Sequence, residues 1–254
     1  MRLALLALLV LAACNEPAPT PAPPAPAPVH PTPAPEQNIY LDDVTPGNPV
    51  LVKGRARTFE NAVSIRARDA NGAVIAEEHV TSVGEMGQHN PFTAEVWLVR
   101  DPGSRITIEA LEYSAKDGSE QSLVSRTIAQ HLDPIAVKLV FPLQDCTRFA
   151  DFTRRVPKSV AMARLLVEAL LAGPIDAEKS AGASSPFPQG SNVRSVVLRN
   201  GELTVDFNER LQNVGGSCAA LAIRESVTRT LTQLPTVKRV VITAAGSRDL
   251  ALQP

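Results

Sequence analysis

Val193-Arg194-Ser195-Val196-Val197-Leu198-Arg199-Asn200-Gly201-Glu202-Leu203-Thr204-Val205-Asp206-Phe207 decides the fold of the second half of the chain. Two β-prone runs flank Asn200-Gly201. A two-residue type I′ turn needs positive φ at both central positions, and Asn-Gly adopts it at low cost. The stretch is therefore expected to be a hairpin, Val193–Arg199 against Glu202–Phe207. Upstream, Lys158–Ala172 carries Val160, Ala163, Leu166, Val167 and Leu170 at helical spacing, and Gly173-Pro174 ends it. Downstream, Ser217 reads as the N-cap of a helix that runs to Leu234, where Pro235 follows. Ile135–Phe141, Arg148–Val156 and Val237–Thr243 read as strands, and residues 175–192 as a loop rich in Ser, Ala, Gly and Pro. The order β-β-α-β-β-α-β predicts an α+β domain over residues 132–254, with both helices on one face of a small sheet.

Residues 38–131 follow a different period. Val63, Ile65 and Ala67 alternate with Ser64, Arg66 and Arg68, and Phe92, Ala94, Val96 and Leu98 alternate with Thr93, Glu95 and Trp97. Seven such runs are expected: Ile39–Val44, Pro49–Arg57, Ala62–Arg68, Ala73–Val80, Phe92–Arg100, Arg105–Tyr113 and Ser122–Ile128. Turn signals at Pro46-Gly47-Asn48, Asn71-Gly72, Pro102-Gly103 and Asp117-Gly118 separate them. Short, regularly punctuated strands predict an all-β sandwich, each strand with one face in the core and one in water.

The N-terminus speaks to location. Met1-Arg2 precedes the apolar run Leu3–Ala13, too short for a transmembrane helix of about 20 residues but suited to a signal peptide. Leu11-Ala12-Ala13-Cys14 resembles the bacterial lipobox, which implies cleavage and lipid attachment at Cys14. Residues 1–14 are thus expected to be a leader and residues 15–37 a linker. Ten of the 21 residues in 16–36 are proline, which excludes helix and interior strand. A polyproline spacer of this length extends roughly 65 Å. Net charge is −1, which gives no field for nucleic acid. The charge is uneven: residues 38–131 hold nine Lys/Arg and thirteen Asp/Glu (−4), residues 132–254 fifteen and eleven (+4). Outside the cytoplasm, the two cysteines that remain, Cys146 and Cys218, are candidates for a disulfide.

In the second half, Glu168-Ala169-Leu170-Leu171-Ala172-Gly173-Pro174, Phe187-Pro188-Gln189-Gly190, Asn200–Phe207 and Thr230–Val237 together resemble the GerMN domain of sporulation and germination proteins. In the first half, Val52–Glu60, Asn71-Gly72, Pro91-Phe92 and Ala115–Ser119 resemble the immunoglobulin-like domain found beside GerMN. The resemblance implies an immunoglobulin-like sandwich over 38–131 and a ring-building-like α+β domain over 132–254. It also implies a scaffold or binding role rather than catalysis.

The residues offer little for chemistry. His30, His79, His89 and His131 lack metal-ligand spacing, so no metal and no cofactor are expected. No nucleophile elbow, phosphate loop or zinc-protease motif occurs. Glu168 and Asp206 read as surface carboxylates rather than an acid pair. Arg148, Arg154, Arg155 and Lys158, with Arg164 beyond them, form a basic stretch, a candidate contact for anionic lipid or wall polymer. The expected role is a lipid-anchored scaffold on the outer side of the cell membrane. Its expected partner is an envelope protein or cell-wall component, with self-association left open. The competing reading is a wall-directed or small-molecule hydrolase. It needs Ser184 or Ser185, in the 175–192 loop, brought to a base such as His131.

Overall fold

The computed structural model of the chain describes residues 36–212, 214–248 and 251–252. The leader and Cys14 lie outside the described residues, as does His30. All seven expected strands form: β1 (Ile39–Thr45), β2 (Val50–Ala56), β3 (Ala62–Arg68), β4 (Val74–Thr81), β5 (Asn90–Val96), β6 (Arg105–Tyr113) and β7 (Glu120–Ala129). They build two antiparallel sheets, β1-β2-β5 and β4-β3-β6-β7. Val50, Val52, Phe92, Ala94 and Val96 from one sheet and Val63, Ile65, Ala67, Ile106 and Ile108 from the other fill one core, as their alternation demands. Gly54, in the middle of β2, lies opposite Leu41 and Phe92. A Cβ there would sit 2.2 Å from the Tyr40 carbonyl oxygen and 2.4 Å from the Phe92 ring, so only glycine permits this approach.

The outer face of the second sheet is not simply wet. Ser64 and Arg66 of β3 are buried. Arg66 pairs with Glu109 at 2.8 Å and with Glu120 at 2.5 Å, and Arg68 reaches Glu109 at 2.8 Å. The hydrogen bond to Glu120, followed by Glu109, holds the Arg66 guanidinium above its ordinary pKa against the cost of burial.

The second half contains β8 (Pro134–Leu143), β9 (Asp145–Pro157), α1 (Met162–Leu171), α2 (Asp176–Ser180), β10 (Val193–Arg199), β11 (Glu202–Phe207), α3 (Ser217–Leu231) and β12 (Arg239–Ala244). The decisive hairpin is β10–β11, with Asn200 at φ 51° and Gly201 at φ 85°. β12 returns through α3 to pair parallel with β11. The strands do not merge into one sheet: β8–β9 stays a two-stranded ribbon. Side chains of the α3 end occupy backbone groups of β8. Gln233 accepts from the Lys138 N–H at 2.9 Å and donates to its carbonyl at 2.7 Å. Thr230 accepts from the Val140 N–H at 3.0 Å. These bonds satisfy backbone groups of β8, the Val140 N–H among them buried, that another strand would otherwise have to meet. α1 and α3 pack on each other, on the ribbon and on the sheet, around Leu139, Phe141, Leu166, Leu170, Phe207 and Ile223.

Three helix boundaries shift. α1 begins at Met162, not Lys158, and Val160 is fully exposed instead of lying on the apolar face. The preceding turn is taken by Ser159, whose hydroxyl donates to the Asn48 carbonyl at 2.6 Å and accepts from the Ala161 N–H at 3.1 Å. Gly216, at φ 105°, occupies the N-cap of α3, so Ser217 is its first helical residue; the helix ends at Leu231 rather than Leu234. Within the expected 175–192 loop a short helix, α2, forms because Glu178 accepts from the Ile175 N–H at 2.9 Å.

The two halves share a wall. Past β5 the alternation continues, so Leu98 enters the sandwich core while Trp97 and Val99 enter the core of the second half. The buried side chain of Asn48 bonds both Leu98 and the Pro157 carbonyl at the end of β9. Asp101 N–H donates to the Arg155 carbonyl at 2.9 Å, and Lys158 N–H to the Asp133 carbonyl at 3.0 Å.

Candidate functional site

The shared wall leaves a groove where edge strand β4 faces the end of α1 and the turn into α2. A cavity of about 420 Å3 lies between Ala76, Glu77, Val99 and Arg100 on one side and Arg154, Gly173, Pro174 and Lys179 on the other. A second, of about 230 Å3, continues from it past Glu78, Trp97, Glu168, Ser191 and Asn192. The two share Ala76, Glu77, Val99 and Ala172. They form one depression with an apolar middle and ionisable ends.

At one end Arg154 is buried, its side chain 4% exposed. Its Nε donates to Glu178 at 3.2 Å, and Nη2 donates to Glu178 and to the Gly173 carbonyl. Glu178, equally buried, also holds the Ile175 N–H. This pair ties β9 to the 173–178 turn. Arg154 is therefore withdrawn from the basic stretch expected to meet an anionic surface: its charge is spent internally on a partner 24 residues away. Arg148, Arg155 and Lys158 do sit exposed, Arg155 3.7 Å from Asp101.

At the other end Glu78 and Glu168 line the same cavity. Arg164 bonds Glu168 at 2.7 Å, one helical turn apart, and its guanidinium lies over the Trp97 ring, 5.8 Å from the centroid. Burial, then the Glu168 charge, pushes the Glu78 carboxyl up to about 7, with Glu95 adding and Arg164 opposing. Burial likewise raises Glu168 against the pull of Arg164. Glu78 escaped attention in the sequence, although a signal was there: it falls in register with the inward-packing Ala76 and Val80. A charge at an inward position of an edge strand also discourages another strand from adding there.

The remaining candidates are scattered. Asp206 belongs to no acid pair with Glu168. It accepts from Thr243 Oγ1 at 2.7 Å and the Gly246 N–H at 2.8 Å, with Arg194 3.3 Å away, and so pins the turn after β12. The Ser184 hydroxyl donates to the Pro142 carbonyl, and Ser185 Oγ accepts from the Phe187 N–H. Among the described residues neither is hydrogen-bonded to His131. His79 bonds Ser64 at 2.8 Å, and His89 bonds the Gln37 carbonyl at 2.9 Å. Among the described residues no group of three or more His, Cys, Asp or Glu side chains is placed to hold a metal ion. Cys218, in the first turn of α3, is disulfide-bonded; the side chain of Cys146 lies outside what is described.

Residues 138–249 match the Germane family, described as sporulation and spore germination, and residues 32–119 match Gmad2, the immunoglobulin-like domain of bacterial spore germination. No curated protein matches the chain at a significant level. Among solved structures, the first GerMN domain of the sporulation protein GerM from Bacillus subtilis is similar at 25% identity and TM-score 0.38, covering 45% of this chain and 85% of that one. The tandem GerMN domains of the same protein are similar at 22% identity and TM-score 0.37, covering 46% of this chain and 40% of that one. By its two family matches, the chain joins a stretch similar to the Gmad2 immunoglobulin-like domain of bacterial spore germination to a stretch similar to the Germane domain of sporulation and spore germination.

Proposed function

We propose that this protein is a lipid-anchored, extracytoplasmic scaffold of the cell envelope in a germination-related setting. Cys14 carries the lipid, the proline-rich linker lifts the folded part off the bilayer, and the two domains bind an envelope protein or wall component without performing chemistry on it. The observation that carries this reading is the shared wall. Asn48, Trp97 and Val99 make one block of two modules, and a block holds two binding surfaces at a fixed spacing. Arg148, Arg155 and Lys158 offer exposed basic side chains to an anionic neighbour, and Cys146 is the partner of Cys218.

The test is crosslinking with mass spectrometry in intact cells, alongside incorporation of labelled fatty acid. The wild-type chain is expected to take up label, sediment with membranes and crosslink reproducibly to one envelope component. Cys14→Ser is expected to lose the label and the sedimentation. An unlabelled, freely soluble wild type, or a lipidated one that crosslinks to no recurring component, would refute the anchor or the scaffold respectively.

A further inference from the structure

The groove's ionisable end joins the two halves at a place where charge is poorly balanced. Glu78 comes from β4 and Glu95 from β5, both in the sandwich; Glu168 and Arg164 come from α1, in the second half. Glu77 lines the same groove beside Glu78. The groups lining this cavity from the 191–192 segment, Ser191 and Asn192, are neutral. Arg164 is the cation that faces these carboxylates, and it is already committed to Glu168 and to the Trp97 ring. Trp97, with Val99, is what the sandwich lends to the other core. Anything that pushes α1 away from Trp97 therefore loosens the seam itself.

We propose that Glu78 and Glu168, which line one cavity with Trp97 and face Arg164 over its ring, form a proton-operated clasp between the two domains. With Glu78 neutral, α1 stays seated on Trp97. With Glu78 ionised, uncompensated carboxylates face each other across the seam and the seating weakens. The sign follows from linkage. Burial raises the Glu78 carboxyl in the folded protein to about 7, from its ordinary value of 4.5. The folded state thus holds this proton more tightly than the unfolded chain. Its stabilising effect is fully present below the unfolded value and is lost as pH rises through about 7.

Trp97 is the chain's one tryptophan, so its fluorescence reports the seam without labelling. The experiment follows emission and thermal midpoint of the full chain, Glu78→Gln and Glu168→Gln from about pH 5 to about pH 9. The wild type is expected to show an emission change centred near pH 7 and a Tm that falls over the same interval. Glu78→Gln is expected to abolish the emission change and to exceed the wild type in Tm above the transition. Glu168→Gln removes one repelling charge and is expected to move the midpoint down, which keeps the idea testable should Glu78→Gln fail to fold. A flat wild-type profile, or a transition that survives undiminished in a folded Glu78→Gln, would overturn the proposal. So would a midpoint unmoved in Glu168→Gln.

Discussion

Asn48 gives its side-chain amide to the Pro157 carbonyl, 3.2 Å away and 109 residues along the chain. The same side chain accepts from the Leu98 N–H at 2.9 Å and donates to the Leu98 carbonyl at 3.3 Å. One buried amide thus joins the start of β2, the exit from β5 and the end of β9. Asn48→Ala leaves the Leu98 N–H and the Pro157 carbonyl without this partner. Each orphaned buried group costs about 1–3 kcal/mol, and a total loss of about 2–3 kcal/mol is expected. Urea unfolding followed by Trp97 emission and by far-UV circular dichroism reads it out. The wild-type probes should coincide, and those of Asn48→Ala should separate. Coincident curves with an unmoved midpoint would dismiss Asn48 as a link between the two halves.

Arg154 and Glu178 are side-chain buried to 4% and 6% exposure, a setting in which a lone charge is expensive. Arg154→Met strands the Glu178 carboxylate and is expected to cost about 3–5 kcal/mol. Arg154→Met with Glu178→Leu should recover most of that loss. Recovery is partial because the Gly173 carbonyl and the Ile175 N–H lose their side-chain partners in the double variant. Guanidinium denaturation of the four proteins closes the cycle. A cost below about 1 kcal/mol for Arg154→Met would mean that the pair is solvated.

The elements that were legible in the sequence are those whose signal is local. Asn200-Gly201 carries the backbone preference of its own turn, and the β5 alternation carries its own face. Gly173-Pro174 marks the end of α1 within one residue of Leu171. What stayed hidden depends on partners far away in sequence. Trp97 falls on the outward parity of β5, and parity says which face a residue takes but not what covers that face. Arg154 sits among basic neighbours that suggest solvent, yet its counter-ion comes from α2. Lys158–Ala161 has helical spacing, and Ser159 instead spends that turn on Asn48. β8–β9 reads as part of a sheet, while the bonds that keep it a ribbon come from Thr230 and Gln233. The candidate site shares this fate, since the groove exists only because the two domains meet.

Gly54 offers a sharp steric test. Its φ is ordinary for a strand, so alanine carries no backbone penalty. The obstacle is space, with backbone oxygen of Tyr40 and the Phe92 ring both inside 2.5 Å of a new Cβ. The carbonyl cannot move without disturbing the β1–β2 ladder. Gly54→Ala is expected to cost about 2–3 kcal/mol, the upper part of the range for overpacking. Thermal unfolding measures it. Phe92→Leu in the same chain should relieve part of the cost, whereas a Gly54→Ala protein as stable as the wild type would show the strands to be further apart.

Cys218 is bonded, and the pairing proposed with Cys146 predicts a pattern rather than one number. The bridge would close a loop of about 73 residues, worth about 4 kcal/mol in the chain-entropy model. It would fasten the β8–β9 ribbon to the first turn of α3. Cys146→Ser, Cys218→Ser and the double variant should then be equally destabilised, since removing either sulfur opens the same loop. Reductant should lower the stability of the wild type to that level and leave all three variants unmoved. Denaturant midpoints with and without dithiothreitol provide the comparison. If Cys146→Ser matched the wild type while Cys218→Ser did not, the partner of Cys218 would have to be sought elsewhere, and the ribbon would be held without a covalent tie to α3.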